Sequence, residues 1–466
     1  VLWLAAVAHA MAQSSPVPPV PLQEMPPTVE KPTGPVDTCI TAECHPKIVS
    51  GRFLHGPTAQ EECDACHVDE DVTKHTYKLV VPESELCSSC HTRSERTVVH
   101  KPVSDKECGK CHDPHGSQYP MQLLADPSGA LCLPCHKREA HGLSELEDDR
   151  TEMAGSCNVC HMYHSSWEPN LLPSDEQELC LSCHQDLWFQ IELLGGAHAP
   201  VLDQGCLDCH DAHRTRYPAQ LKADVREVCY SCHDHDDIRK QVETSPVVHG
   251  VMTTEESCNA CHVGHASEGP YLLAGSEKDL CLSCHNEPLT LEDGRVLSDM
   301  ACLLKQKPRH HGPIRDGECR PCHDPHASAH SDLLTMAYPQ EFYAPFKTES
   351  YALCFECHIE ELALVETGYG VTEFRDQDQN LHFVHVNKEK RGRTCLTCHE
   401  VHASTQAFHM RDRVLYGPRG WEIEIQFTKL PNGGSCAPGC HDAMSYDRGD
   451  AKPKTPRAGL KPEYLE

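Results

Sequence analysis

Apolar residues are thinly spread along this chain, and few stretches hold a helical or strand period for long. The clearest alternation is Trp421-Glu422-Ile423-Glu424-Ile425-Gln426-Phe427, followed by the turn residues Pro431, Asn432, Gly433 and Gly434, and it predicts a short strand over 421–427 in a small sheet or at an edge. Val1 to Ala8 form an apolar run ahead of Ala10-Met11-Ala12, so residues 1–12 read as the remnant of a signal peptide on an exported protein. No other stretch approaches the roughly 18 to 20 apolar residues that a membrane helix needs. Pro16, Pro18, Pro19, Pro21, Pro26, Pro27, Pro32 and Pro35 make residues 13–36 an extended tether. Beyond it, Leu pairs recur at Leu123-Leu124, Leu171-Leu172, Leu272-Leu273 and Leu333-Leu334, separated by Pro and Gly bends. The expected fold class is irregular, mostly coil with short α-helices and little β.

The Leu pairs belong to a longer repeat. Cys108-Gly-Lys-Cys111-His112-Asp-Pro-His115, a Leu pair, then Leu131-Cys132-Leu-Pro-Cys135-His136 is rewritten from Cys157, from Cys206 and from Cys258, with a period of about 50 residues. The units beginning at Cys319 and Cys395 carry insertions, and the one at Cys63 has Glu70 where the others have the last His of Cys-His-x-x-His. The chain therefore divides into a lead segment at 37–54 and seven modules at 55–91, 100–136, 141–184, 198–233, 249–285, 310–358 and 382–441, with a tail at 442–466. Such an array is expected to stack each unit mainly on its neighbours.

Composition changes the picture further. The chain has 31 Cys and 35 His against 9 Phe and 4 Trp, too few large apolar side chains to fill the interior of 466 residues. The formal net charge of -29 argues against nucleic acid as a partner.

The spacing of the cysteines says what fills the interior. Thirteen Cys-x-x-Cys-His motifs comprise Cys63, Cys66 and His67; Cys87, Cys90 and His91; Cys108, Cys111 and His112; Cys132, Cys135 and His136; Cys157, Cys160 and His161; Cys180, Cys183 and His184; Cys206, Cys209 and His210; Cys229, Cys232 and His233; Cys258, Cys261 and His262; Cys281, Cys284 and His285; Cys319, Cys322 and His323; Cys354, Cys357 and His358; and Cys395, Cys398 and His399. Two wider variants are Cys39, Cys44 and His45 at the start, and Cys436, Cys440 and His441 at the end. Two thiols about one helical turn apart can add to the two vinyl groups of a haem, and the adjoining His then lies under the iron. A zinc site needs no His directly after every second Cys, whereas all fifteen motifs have one, so about fifteen covalent haem c groups are expected. Cys302 stands outside this scheme and reads as a small buried apolar residue.

Whether the far side of each iron is closed or open separates an electron carrier from a catalyst. Each module has a His before its first Cys, namely His55, His100, His141, His198, His249, His311 and His385, and one after its first motif, namely His75, His115, His164, His213, His265, His326 and His402. The Cys-His-x-x-His members of the second set sit about one turn beyond the proximal His, too close to reach around the same haem, so they are expected to serve a neighbouring one. His235, His310, His330, His382 and His409 are left over, and one of them, or a reassigned module His, would serve the haem at Cys39.

The doubled Cys-x-x-Cys-His pattern over about residues 55–441 resembles the doubled-CXXCH-motif family of multihaem cytochromes c, which includes the periplasmic component of porin-cytochrome conduits. The resemblance implies an elongated array of bis-His haems that passes respiratory electrons across the periplasm and the outer membrane. It implies redox protein partners: an inner-membrane quinol-oxidising cytochrome or periplasmic carrier, an outer-membrane porin and an extracellular cytochrome. A terminal oxyanion reductase with one open haem, and a subunit of an extracellular cytochrome filament, are the competing readings. The absence of any Cys-x-x-Cys-Lys and the surplus of His weigh against the reductase.

Overall fold

The protein was analysed as a computed structural model, which describes residues 39–461 apart from 42–44, 93–95, 128, 137–156, 204, 214, 234–237, 292–293, 418, 450–458 and 460. The expected signal remnant, the tether, Cys44, His141 and His235 lie outside the described residues. The chain divides into two units, residues 1–93 with 105–126, and residues 94–104 with 127–466.

Regular structure is short throughout: helical turns, and strands of two to five residues in sheets of two or three strands. Among the described residues a buried apolar cluster gathers Leu334, Tyr338, Tyr351, Phe355, Ala363 and Val386, beside Cys354 and Cys395. It lies where modules 6 and 7 carry insertions.

The thiol motifs fold as single turns. Cys157–Cys160, Cys206–Cys209 and Cys395–Cys398 are helical, and Cys63–Ala65, Cys87–Ser89 and Cys108–Lys110 are 3-10 turns. In five of these six turns the His amide closes back on the first Cys, as His210 does on the Cys206 carbonyl at 3.0 Å, and at Cys63 the Cys66 amide does so. Second motifs end helices that are capped from the sequence: Asp175 accepts from the Glu178 amide, Asp224 from Glu227 and Ser276 from Asp279. These caps fix the helices Glu176–Cys183, Val225–Tyr230 and Glu277–Cys284, so the thiols of each motif emerge at the helix end.

After each first motif the chain turns back antiparallel to its own His, bridging His112 to Leu123, His210 to Leu221, His262 to Leu273, His323 to Leu334 and His399 to Met410. The reversal uses two successive left-handed residues: Met121-Gln122, Asn170-Leu171, Ala219-Gln220, Tyr271-Leu272, Asp332-Leu333 and Phe408-His409, with φ between 53° and 61°. None is Gly, and such residues cost roughly 1 kcal/mol or more each, so the surrounding contacts must over-determine the turn. The Leu pairs thus divide by role: Leu171, Leu272 and Leu333 lie in the turn, while Leu172, Leu273 and Leu334 lie at its C-terminal edge.

The strand expected over 421–427 is two strands. Trp421–Glu424 pairs with Arg413–Tyr416, and Phe427–Leu430 pairs with Gly433–Cys436, which also pairs with Met444–Asp447. Gln426 lies between them at φ 44°, a left-handed break that turns one alternating run into members of separate sheets. Cys302 is exposed. Asp299 caps the helix Met300–Gln306 and sets its phase, turning Leu303 and Leu304 inward and leaving Cys302 outside, where Gln306 Nε2 donates to its Sγ at 2.9 Å.

Candidate haem sites

The His before one module and the His after the first motif of the next are brought together on adjacent segments. His55, His198, His249 and His311 stand at the point where a short strand ends and a helical turn begins, held extended, and in three of the four a Pro occupies the first turn. The strands pair with the segment that follows Cys-His-x-x-His: Phe53–Leu54 with Gly116–Ser117, Val247–Val248 with Ala327–Ser328, and Arg309–His310 with Ala403–Ser404. One backbone bond then joins the two histidines directly: His55 N to His115 O, His100 N to His164 O, His198 N to His265 O, His249 N to His326 O and His311 N to His402 O, at 2.8 to 3.4 Å.

From these ladders the imidazoles reach the motif histidines. His67 faces His115, His91 faces His55 and His45 faces His75 in the first unit. In the second, His136 faces His100, His161 faces His213, His210 faces His265, His233 faces His198, His262 faces His326, His285 faces His249, His323 faces His402, His358 faces His311 and His399 faces His382. In all twelve the ring centroids are 5.9 to 6.4 Å apart and the planes within 30°. That is too far for direct stacking contact. A metal–imidazole bond of about 2 Å on each side plus a ring radius of roughly 1 Å gives about 6 Å, the separation of two axial imidazoles on one iron.

The ring orientation fits as well. Nδ1 of His112, His161, His210, His262, His323 and His399 donates to the carbonyl of the first left-handed residue nine positions on, at 2.7 to 2.9 Å. The strained turn therefore fixes the tautomer and leaves each Nε2 lone pair for a metal. His198 and His249 are held likewise through Gly264 O and Pro325 O. Burial pushes His311 down to about 4 and His382 down to about 3, and lowers His265, His285, His326, His358, His399 and His402, keeping these imidazoles neutral. Among the described residues no three His, Cys, Asp or Glu side chains converge on one metal position, as a tetrahedral zinc site would require.

The thiols line up in chain order. In the first unit Cys39 adjoins Cys63, and Cys87 lies near both Cys66 and Cys108. In the second, facing thiols run from Cys160 and Cys183 through Cys180 and Cys206, Cys209 and Cys232, Cys229 and Cys258, Cys261 and Cys284, Cys281 and Cys319, Cys322 and Cys357, and Cys354 and Cys395, to Cys398 with Cys436 and Cys440. The buried polar atoms Tyr230 Oη, Tyr351 Oη and His409 Nδ1 have no protein partner. Tyr230 and Tyr351 flank such thiol pairs, and His409 lies edge-on to His311, so all three await a group held at these sites.

A family model of the doubled CXXCH motif matches at residues 55–96, 100–141, 152–187, 198–238, 249–289 and 311–363, more than half of the chain. The chain belongs to the doubled CXXCH motif family. It is a multihaem c-type cytochrome, with haem c bound covalently at its doubled motifs. No curated protein matches it significantly.

In this cytochrome the paired histidines follow a rule. The His before a module faces the proximal His of that module's second motif, while the His after a first motif faces the first motif of the module before. His75 follows the same rule toward the lead motif. In the module over 382–441 the helix Leu381–Val386 supplies His382, which faces His399. Sequence reasoning left His382 unassigned; its spacing of three from His385, one face of one helix, was the available signal. His385 donates from Nδ1 to Leu381 O and lies near His441.

Proposed function

We propose that this multihaem cytochrome is an electron conduit, exported to the periplasm, that carries respiratory electrons toward the outer membrane and an extracellular acceptor. The order of the thiols carries the reading. Cysteines of successive motifs lie close together, from Cys39 to Cys108 in the first unit and from Cys160 to Cys440 in the second, so the groups they would hold follow one another in chain order. The bound haem c supplies one-electron chemistry at its iron. The chain's part is to close that iron. We assign the facing imidazoles as the pair that would hold it, several of them oriented by a backbone carbonyl on Nδ1, so that a substrate would find no open position. This makes the protein a carrier and not an enzyme, at about fifteen haems when both wide motifs are loaded. Its partners on this reading are redox proteins, a quinol-oxidising cytochrome or periplasmic carrier on one side and a porin with an extracellular cytochrome on the other. The apolar run Val1 to Ala8 before Ala10-Met11-Ala12 supports export.

Low-temperature EPR of the oxidised protein and CO addition to the reduced protein test the closed sites. Low-spin signals throughout and no CO adduct are expected. A native high-spin fraction near one haem in about fifteen would transfer the reading to an oxyanion reductase.

A further inference from the structure

In a chain with 70 acidic and 41 basic residues, the seven residues Asn387 to Arg393 carry four cations and one carboxylate. Lys388, Lys390 and Arg391 are exposed and make no ion pair among the described residues. The turn is held at both ends. It leaves the helix Leu381–Val386 and returns as the strand Gly392–Arg393, which pairs with Tyr343–Ala344, while Phe346 N donates to Lys388 O at 3.0 Å. Gly392 makes the return possible, because a Cβ there would meet Val386 O at 2.2 Å and Ala344 O at 2.9 Å. Arg393 lies over the Tyr343 ring, and exposed Lys347 on the same segment adds a fifth cation. The carboxylates of the turn and of its paired strand segment are Glu341, Glu349 and Glu389, and exposed Glu360 and Glu361 lie near Ala363, whose carbonyl Asn387 Nδ2 meets; within the turn itself cations outnumber carboxylates four to one.

Position gives the cations a use. The turn begins two residues after His385 on the helix Leu381–Val386 and ends two residues before Cys395. The basic turn therefore borders residues of the last module's haem sites. Long cationic side chains on a fixed turn beside a redox centre attract an oppositely charged partner and orient its approach.

We propose that the turn 387–393 is the docking face for an acidic redox protein that exchanges electrons with the last module. The inference rests on the electron-transfer reading above. One electron leaves the reduced partner, which is thereby oxidised, and reduces the last module, with no bond made or broken.

Two measurements test this on the holoprotein, with a reduced acidic [2Fe–2S] ferredoxin as the probe. In stopped flow, the wild-type rate is expected to fall as salt rises, and K388E/K390E/R391E is expected to be slower by about tenfold at low salt, with a rate that rises with salt. The Gln version should fall between them. By calorimetry with both proteins oxidised, so that no electron moves, the wild type should bind more tightly than either variant. Unchanged EPR and visible spectra establish that the variants are folded. A wild-type rate that rises with salt, as repulsion from a net charge of -29 would dictate, overturns the proposal. So does an identical salt response in wild type and variants, which would leave these cations as counter-charges for the carboxylates of the bound group. Failure of the protein to accept electrons even from dithionite would instead overturn the electron-transfer reading itself.

Discussion

Replacing His265 by Ala should open an iron one module away from the motif that carries it. His265 follows His262 by three residues, yet its ring stands 5.9 Å from His210, whereas His262 faces His326 at 6.3 Å. The variant therefore removes the ligand opposite His210 and leaves the His262 site intact. The ladder should survive, because the bond from His198 N at 2.8 Å ends on the backbone carbonyl of residue 265. The local cost is the half-buried ring and one ligand bond, on the order of 1–3 kcal/mol, not the fold.

The expected reading is a new high-spin EPR signal and a CO adduct amounting to about one haem in fifteen. Haem deletion then says which one. Adding C206A/C209A should abolish the new signal, and adding C258A/C261A should leave it. The reverse pattern would refute the rule that each module completes the one before, and an unchanged low-spin spectrum in H265A would refute the ligand assignment.

The same rule makes His382→Ala open one haem at the Cys395 motif, while His330→Ala, a spare His facing no motif histidine among the described residues, should leave EPR and CO binding unchanged. Glu277 joins modules 5 and 6 by accepting from the Cys319 and Arg320 amides and from Arg320 Nε. Burial opposes its charge, but these hydrogen bonds win and hold its carboxyl below the usual range, so its stabilisation is complete above the unfolded value and lost as pH falls through the lowered folded one. Its charge-assisted bonds are worth about 1.5–3 kcal/mol. Thermal melts from pH 7 to pH 3 should therefore show the wild type losing more stability than E277Q, and parallel curves would refute this role.

What the sequence discloses is the chemistry that acts over a few residues. A thioether pair closes across one turn, so Cys-x-x-Cys-His is legible wherever it stands, and a capping residue such as Asp175 or Ser276 is legible ahead of its helix because cap and amide are three residues apart. The distal partner is set otherwise. His115 is placed by a backbone bond from His55, and a backbone bond leaves no mark in side-chain identity, so the sequence shows only that His115 cannot serve its own haem. The left-handed turns were hidden for a related reason. Residues as different as Met121, Ala219, Tyr271 and Asp332 occupy the same conformation, because the turn is dictated by the carbonyl that must receive the His Nδ1, not by the freedom of the residue that bends. Gln426 broke the expected strand in the same silent way. His382 shows where the two kinds of information meet: it stands outside the repeated His pattern, yet its spacing of three from His385 is legible ahead of Cys395. The insertion before Cys395 supplies that His, and the buried apolar cluster described above gathers in the insertions of the same two modules.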